Sequence, residues 1–251
     1  MSYIMSSSFF RKFLLNACIV LCMILIIQPG MTEIIRDDPL YQVSTFAILE
    51  TGEYTSAITI DEMNEKGDLG VGGFADMNGE LIQMNGTVYQ ITSDGVVHTP
   101  PGDTGVTFMD TVKFNPVLNT TISGPSNFTA LKDTLSESFP LENQIYAIRL
   151  DGFFSEMKIR SLPEQEEPYP PLSHVIANQS IFDLTNTTGT ITGFWFPSWM
   201  QGTNYAGYHL HYLTEDHSAG GHILECVLEN GTVGIDPIRS FSVDLIPEKQ
   251  T

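Results

Sequence analysis

The sequence predicts an α+β protein made of two sheet-based halves, with largely antiparallel or mixed β-sheets and a few short helices. Three observations predict it. Short β-branched and aromatic runs recur along most of the chain, punctuated by Asn-Gly, Asp-Gly and Pro-containing breaks. Segments with helical spacing are few and brief. A length of 251 residues with 42% hydrophobic content suffices for a full core, as one large domain or two small ones.

Residues 1–33 stand apart from that pattern. Arg11 and Lys12 precede an apolar run from Phe13 to Ile27, broken only by Asn16 and ended by Gln28-Pro29-Gly30. The run is short for a membrane span, which needs about 20 residues, and long enough for the apolar region of a signal peptide. No Ala-x-Ala-like cleavage site follows. The segment reads as an export signal, or as a membrane anchor if it is retained, and either places the remainder outside the cytoplasm. Six Asn-x-Ser/Thr tripeptides, at Asn85, Asn119, Asn127, Asn178, Asn186 and Asn230, agree with export. Asn85-Gly86 and Asn230-Gly231 also suit hairpin turns with no sugar attached. Cys18 and Cys22 lie in the apolar run, so a processed chain keeps only Cys226 and can form no internal disulfide.

The first half, residues 34–162, begins after a polar linker, near Leu40 to Phe46. Thr59 to Lys66 reads as a short helix, with Thr59 as its cap, acids at Asp61 and Glu62, and Gly67 past its end. A meander follows through Gly72–Met77, turn Asn78-Gly79, strand Glu80–Met84, turn Asn85-Gly86, strand Thr87–Thr92, turn Asp94-Gly95 and strand Val96–Thr99. After Pro100-Pro101-Gly102 comes a strand from Val106 to Phe114. Ser126 is the expected cap of an amphipathic helix from Phe128 to Phe139. Gln144–Leu150 and Phe153–Arg160 read as a hairpin about Asp151-Gly152.

The Pro/Glu-rich stretch Pro163–Pro171 marks the boundary to the second half, residues 163–251. A short helix near Leu172–Asn178 is followed by strands at Gly189–Phe196, around His209 and after Gly221. Asn230-Gly231 reads as another turn before Thr232–Asp236, and a last strand covers Ser240–Ile246.

A formal charge of −19 argues against nucleic acid and anionic membrane surfaces as partners. It leaves a bound dication as a large local charge among eleven Lys and Arg residues.

Four of the six histidines fall between Tyr205 and Cys226. Side chains alternate along a strand, so His209 and His211 share one face. Polar residues Thr214 to Gly221 form a hairpin connection, and His222 opens the returning strand. The pair of strands can bring three imidazoles to one face, a donor set that suits zinc, iron or copper and leaves positions open for water or substrate. His217, beside Glu215 and Asp216 in the connection, reads as solvated. Cys226 shares the face of His222 but lies about 13 Å along the strand, too far for one coordination sphere.

At His209-Leu-His211 and Gly220-Gly221-His222 the chain resembles the α-acetolactate decarboxylase family. The likeness extends through Gly193-Phe194-Trp195, Met200-Gln201-Gly202 and Gly207-Tyr208. Upstream it includes Tyr41-Gln42-Val43-Ser44-Thr45, Gly67-Asp68-Leu69-Gly70, Asn78-Gly79-Glu80-Leu81 and Arg160-Ser161-Leu162-Pro163 through Tyr169–Leu172. In order, it covers Tyr41 to Ile246. The resemblance implies a zinc enzyme, usually homodimeric, that converts 2-acetolactate, an anionic 2-hydroxy-3-oxo acid, to acetoin and carbon dioxide through a metal-stabilised enediolate. It assigns zinc to His209, His211 and His222, and active-site roles to Glu80 and Arg160. A carboxylate that the family can bring from its C-terminal tail maps onto Glu248. Gly73 stands where family members often carry Thr. Pattern alone reads Glu80 and Arg160 as solvated charges.

Two other function classes compete. His209-x-His211-x-x-x-Glu215 imitates the first box of a cupin-like dioxygenase or isomerase, although the glycine spacing differs and no second box appears. An exported metal- or glycan-binding β module without catalysis would also account for the acceptor tripeptides and the acidity.

Overall fold

The computed structural model describes residues 38–139 and 143–246. The N-terminal apolar segment, with Cys18 and Cys22, and Glu248 lie outside the described residues. Among the described residues no helix is long and apolar enough to cross a membrane.

The architecture is α+β, with two sheets and short helices. Sheet one contains β1 (Leu40–Val43), β2 (Ile58–Thr59), β3 (Leu69–Phe74), β4 (Glu80–Met84), β5 (Thr87–Ile91), β6 (Val97–His98), β7 (Gly105–Val112) and β13 (Phe241–Asp244). Its order is β13-β1-β7-β3-β4-β5-β6, with β2 also on β7. The pairing of β13 with β1 is parallel, which makes the sheet mixed. Sheet two contains β8 (Leu118–Ser123), β9 (Ile145–Ser161), β10 (Ser180–Phe196), β11 (Gly207–Thr214) and β12 (Gly220–Ile238), in the order β11-β10-β9-β12-β8. Because β11 also pairs with β12, strands β9 to β12 close into a ring. The Pro/Glu-rich stretch joins β9 to the helix before β10, and these two strands are neighbours along most of their length.

Among the described residues there are four α-helices: α1 (Phe46–Glu50), α2 (Ile60–Asn64), α3 (Phe128–Glu137) and α4 (Leu172–Ala177). The expected cap of α2 is present. Thr59 Oγ1 accepts from the Glu62 N–H while the Glu62 carboxylate accepts from the Thr59 N–H, so two otherwise unpaired donors are satisfied together. In α3 the cap is Asn127 rather than Ser126. Asn127 Oδ1 accepts from the Ala130 N–H at 2.8 Å, and Leu131 and Leu135 face inward.

Asn85-Gly86 is the tight turn its sequence predicts, with φ of 52° and 75°. Asp151-Gly152 and Asn230-Gly231 are not turns. They lie inside β9 and β12, where Gly152 pairs with Gly189 on one side and Gly231 on the other. A Cβ at Gly152 would come within 2.8 Å of the Asn230 carbonyl and of Leu228 Cδ1, so here glycine serves close strand approach. The strand β8 has no alternating apolar signal. From Leu118 to Ser123 exposed residues alternate with partly buried or buried ones, and the segment is extended through its pairing with β12.

The sheets meet through apolar side chains. Leu69, Val71 and Val112 of sheet one pack with Ile145, Ala147, Phe194 and Phe196 of sheet two. Ile82, Met84 and Ile91 pack with Leu213. This contact lays β4 against β11 and sets the geometry of the site.

Candidate metal centre and active site

Three strands of sheet two carry a row of polar side chains. His211 on β11 pairs with His222 on β12, and His222 pairs in turn with Arg160 on β9. His209 lies two residues before His211 and on the same face, as alternation requires. The three imidazole rings have centroids 5.0, 5.1 and 5.4 Å apart. Their ligand nitrogens lie within 4.8 Å of one another, and the group could hold a metal ion.

Glycine makes that row possible. Gly221 has φ 148°, and a Cβ there would stand 2.3 Å from the Arg160 carbonyl oxygen. Gly193 has the same φ, and a Cβ there would stand 2.1 Å from the His209 carbonyl oxygen.

Sheet one orients a ligand carried by sheet two. His211 is fully buried and its Nδ1 lies 3.0 Å from the Leu81 carbonyl on β4. A carbonyl only accepts, so Nδ1 holds the proton and Nε2 is left as a bare donor of electrons. His222 Nδ1 is 3.2 Å from that Nε2. Two nitrogens on one tetrahedral zinc stand roughly 3.3 Å apart, given bonds of about 2.0–2.1 Å. His209 Nδ1 is buried without a hydrogen-bond partner. The donor set, its spacing and this orphaned nitrogen fit a metal.

Burial and the nearby guanidinium favour neutral imidazoles, the form that binds metal. Burial, helped by Arg160, lowers His209 to about 4. Burial and the surrounding cationic groups hold His211 and His222 well below the usual histidine range.

Glu80 and Arg160 are not the solvated charges that pattern suggests. Glu80 is 5% exposed, and the Arg160 side chain is 13% exposed. Sheet packing covers them both. Arg160 Nε lies 3.7 Å from Glu80 Oε1, and Glu80 Oε2 lies 3.5 Å from His211 Nε2. Neither Glu80 Oε1 nor Arg160 Nε has a hydrogen-bond partner. Burial pushes the Glu80 carboxyl up to about 7, against the opposing pull of Arg160. Glu80 is therefore a carboxyl poised near neutral pH beside three neutral imidazoles.

Glu80, Arg160, His209 and His222 line a cavity of about 420 Å³. Its remaining wall is mainly apolar or aromatic, with Phe46, Phe108, Leu162, Tyr205 and Tyr208 among the lining side chains. Sequence pattern gives no sign of Gln179, whose Oε1 accepts from Arg160 at 3.3 Å, nor of Lys132, which lines the cavity from α3. Each follows a sequence of ordinary helix residues, and only the tertiary arrangement brings it to the site. Gly73 also lines the cavity, and a Cβ there would meet only Met77 and the Gly79 carbonyl at 3.8 Å or more. Glu215, needed by the cupin alternative, is exposed in the turn beyond β11. His217 is exposed too, with its ring against Tyr89, and Cys226 is buried and unpaired.

The sequence model of the alpha-acetolactate decarboxylase family matches residues 40–251. The chain belongs to the alpha-acetolactate decarboxylase family. A relative from Methanosarcina mazei is 37% identical over 83% of this chain and 72% of its own length. One from Bacillus licheniformis is also 37% identical, over 88% of this chain and 86% of its own. The crystal structure of alpha-acetolactate decarboxylase from Bacillus subtilis strain 168 superposes with a TM-score of 0.81, at 33% identity, covering 84% of this chain and 90% of that one.

Proposed function

We propose that this chain decarboxylates 2-acetolactate to acetoin and carbon dioxide, using zinc held by His209, His211 and His222. The carrying observation is the placement of three neutral imidazoles beside the buried Glu80–Arg160 couple, in a chain of this family. Bound zinc would supply Lewis-acid polarisation of substrate oxygens and stabilise the negative charge released on decarboxylation.

The chain's own residues account for the other requirements. Arg160 is a fixed guanidinium in an otherwise acidic protein, suited to hold the substrate carboxylate by paired hydrogen bonds. As carbon dioxide leaves, the electron pair of the broken bond stays on the substrate carbon, and a proton must replace the lost group. Glu80 is the proposed donor, since a carboxyl with a pKa of about 7 holds a proton near neutral pH and can release it. Delivery from one side yields one enantiomer of acetoin. The apolar wall limits water near the reacting carbon and strengthens the charge interactions inside. Glu248 is assigned a further carboxylate role toward the metal, on the resemblance of the tail.

The deciding experiment incubates the purified chain with racemic 2-acetolactate, with and without a chelator, and measures acetoin. Acetoin should form, stop after chelation and return on adding zinc. Undiminished acetoin from a protein shown to be metal-free would rule out the zinc reading, and no acetoin from the metal-loaded protein would rule out the reaction.

A further inference from the structure

Half of the chain's twelve asparagines open an Asn-x-Ser/Thr tripeptide, whereas Ser and Thr make up about one residue in six, so chance would give about two. All six are exposed. Their places in the fold have something in common. Asn85 is in the β4–β5 turn, Asn127 caps α3, and Asn178 ends α4. Asn186, at φ 52°, is the residue of β10 skipped between the pairs Thr185–Glu156 and Thr187–Phe154. Asn230 sits at a register shift in β12, and Asn119 lies on the edge strand β8. Each is where a ladder ends, breaks or borders solvent, so a bulky group on the side chain displaces no packed neighbour.

The side-chain hydrogen bonds of these residues also tolerate such a group. Asn127 Oδ1 accepts from the Ala130 N–H, and Asn85 Oδ1 accepts from Arg149 at 2.9 Å. Asn178 Nδ2 donates to the His174 carbonyl at 2.8 Å. A substituent on Nδ2 removes one of two amide hydrogens and leaves the oxygen free, so all three bonds can persist. None of the six lines the cavity, although Asn127 and Asn178 each precede a residue that does.

We propose that the chain is exported and carries N-linked sugars on these asparagines. The donor class is a lipid-linked sugar phosphate. Nδ2 forms a bond to the sugar's C1, the bond from C1 to the phosphate oxygen breaks, its electron pair leaves with the lipid phosphate, and Nδ2 loses one proton. No redox change occurs. Such sugars add hydrated bulk along strands of sheet two, at Asn119, Asn186 and Asn230, at the helix ends Asn127 and Asn178 and at the Asn85 turn, and leave the cavity lining unmodified.

The test is glycopeptide mass spectrometry on the chain isolated from its own source, combined with cell fractionation. Sugar on at least two of the six peptides is the expected result, with faster electrophoretic migration after Asn119→Gln or Asn230→Gln where those sites are occupied. Five or six bare peptides from an exported chain would overturn the sugar and leave export standing. A chain found inside the cytoplasm would overturn both, and neither outcome bears on the acetoin assay.

Discussion

Arg160 is the residue through which the site's charges communicate. It opposes the effect of burial on Glu80 and adds to it at all three histidines. Replacing it with alanine should therefore do three separable things. Metal content should persist, because no ligand is lost, while turnover falls on the order of 100-fold with the loss of a placed cation. Glu80, freed from the guanidinium's pull, should titrate at higher pH. Since the proposed donor is the protonated form, the alkaline limb of the activity profile should move upward. Loss of metal in step with activity would instead make Arg160 a structural support. His211→Ala should behave differently, losing metal and acetoin formation together and leaving the Leu81 carbonyl without its donor. The histidines were legible in the sequence because strand alternation alone puts His209 and His211 on one face. Glu80 and Arg160 were assigned only through family resemblance. Their burial arises from packing of one sheet on another, and a charged residue after a turn carries no local sign of that.

At the scale of elements, the site depends on how closely β9, β11 and β12 approach. Gly221 separates the His222 backbone from the Arg160 carbonyl, and its φ of 148° is one that L side chains rarely adopt. Gly221→Ala should cost roughly 1–3 kcal/mol through overpacking, with backbone strain added, and should weaken metal binding by moving His222 away from His211. Thermal unfolding and metal titration check the two parts. An unchanged melting temperature with unchanged metal affinity would mean that the strands can separate without cost. The same local chemistry explains why turns were only partly legible. Asn-Gly at residues 85–86 adopts the positive φ values of a hairpin, whereas Asp-Gly and Asn-Gly at 151–152 and 230–231 lie in long strands whose glycines face one another. The dipeptide permits a turn, and the cross-strand neighbours decide whether there is one.

Across the whole molecule, one buried carboxyl ties sheet one to the approach of the metal-bearing strand. Asp110 lies in β7, paired with Gln42 of β1 and Val71 of β3. Asn204 donates from Nδ2 to both of its oxygens at 2.8 Å, while Asn204 Oδ1 accepts from the N–H of Tyr205, a residue of the cavity wall two positions before β11. Closure of the ring from β9 to β12 was not legible because it rests on pairings far apart in sequence, and this tie is hidden for the same reason. Burial pushes Asp110 up to about 7, despite the bonds from Asn204. The ordinary value is about 3.9, so the folded state holds this proton more tightly than the unfolded state does. Its stabilising contribution is whole below about pH 4 and is lost as pH rises through about 7. Asp110→Asn cannot lose that proton and can still accept from Asn204. The melting temperature of the variant relative to the natural chain should therefore rise between pH 4 and pH 8. The formal charge of −19 imposes its own pH dependence on both proteins, which is why the difference between them, not either curve alone, reports on Asp110. A difference that stays constant across that range would show that the carboxyl is ionised throughout and that Asn204 outweighs burial.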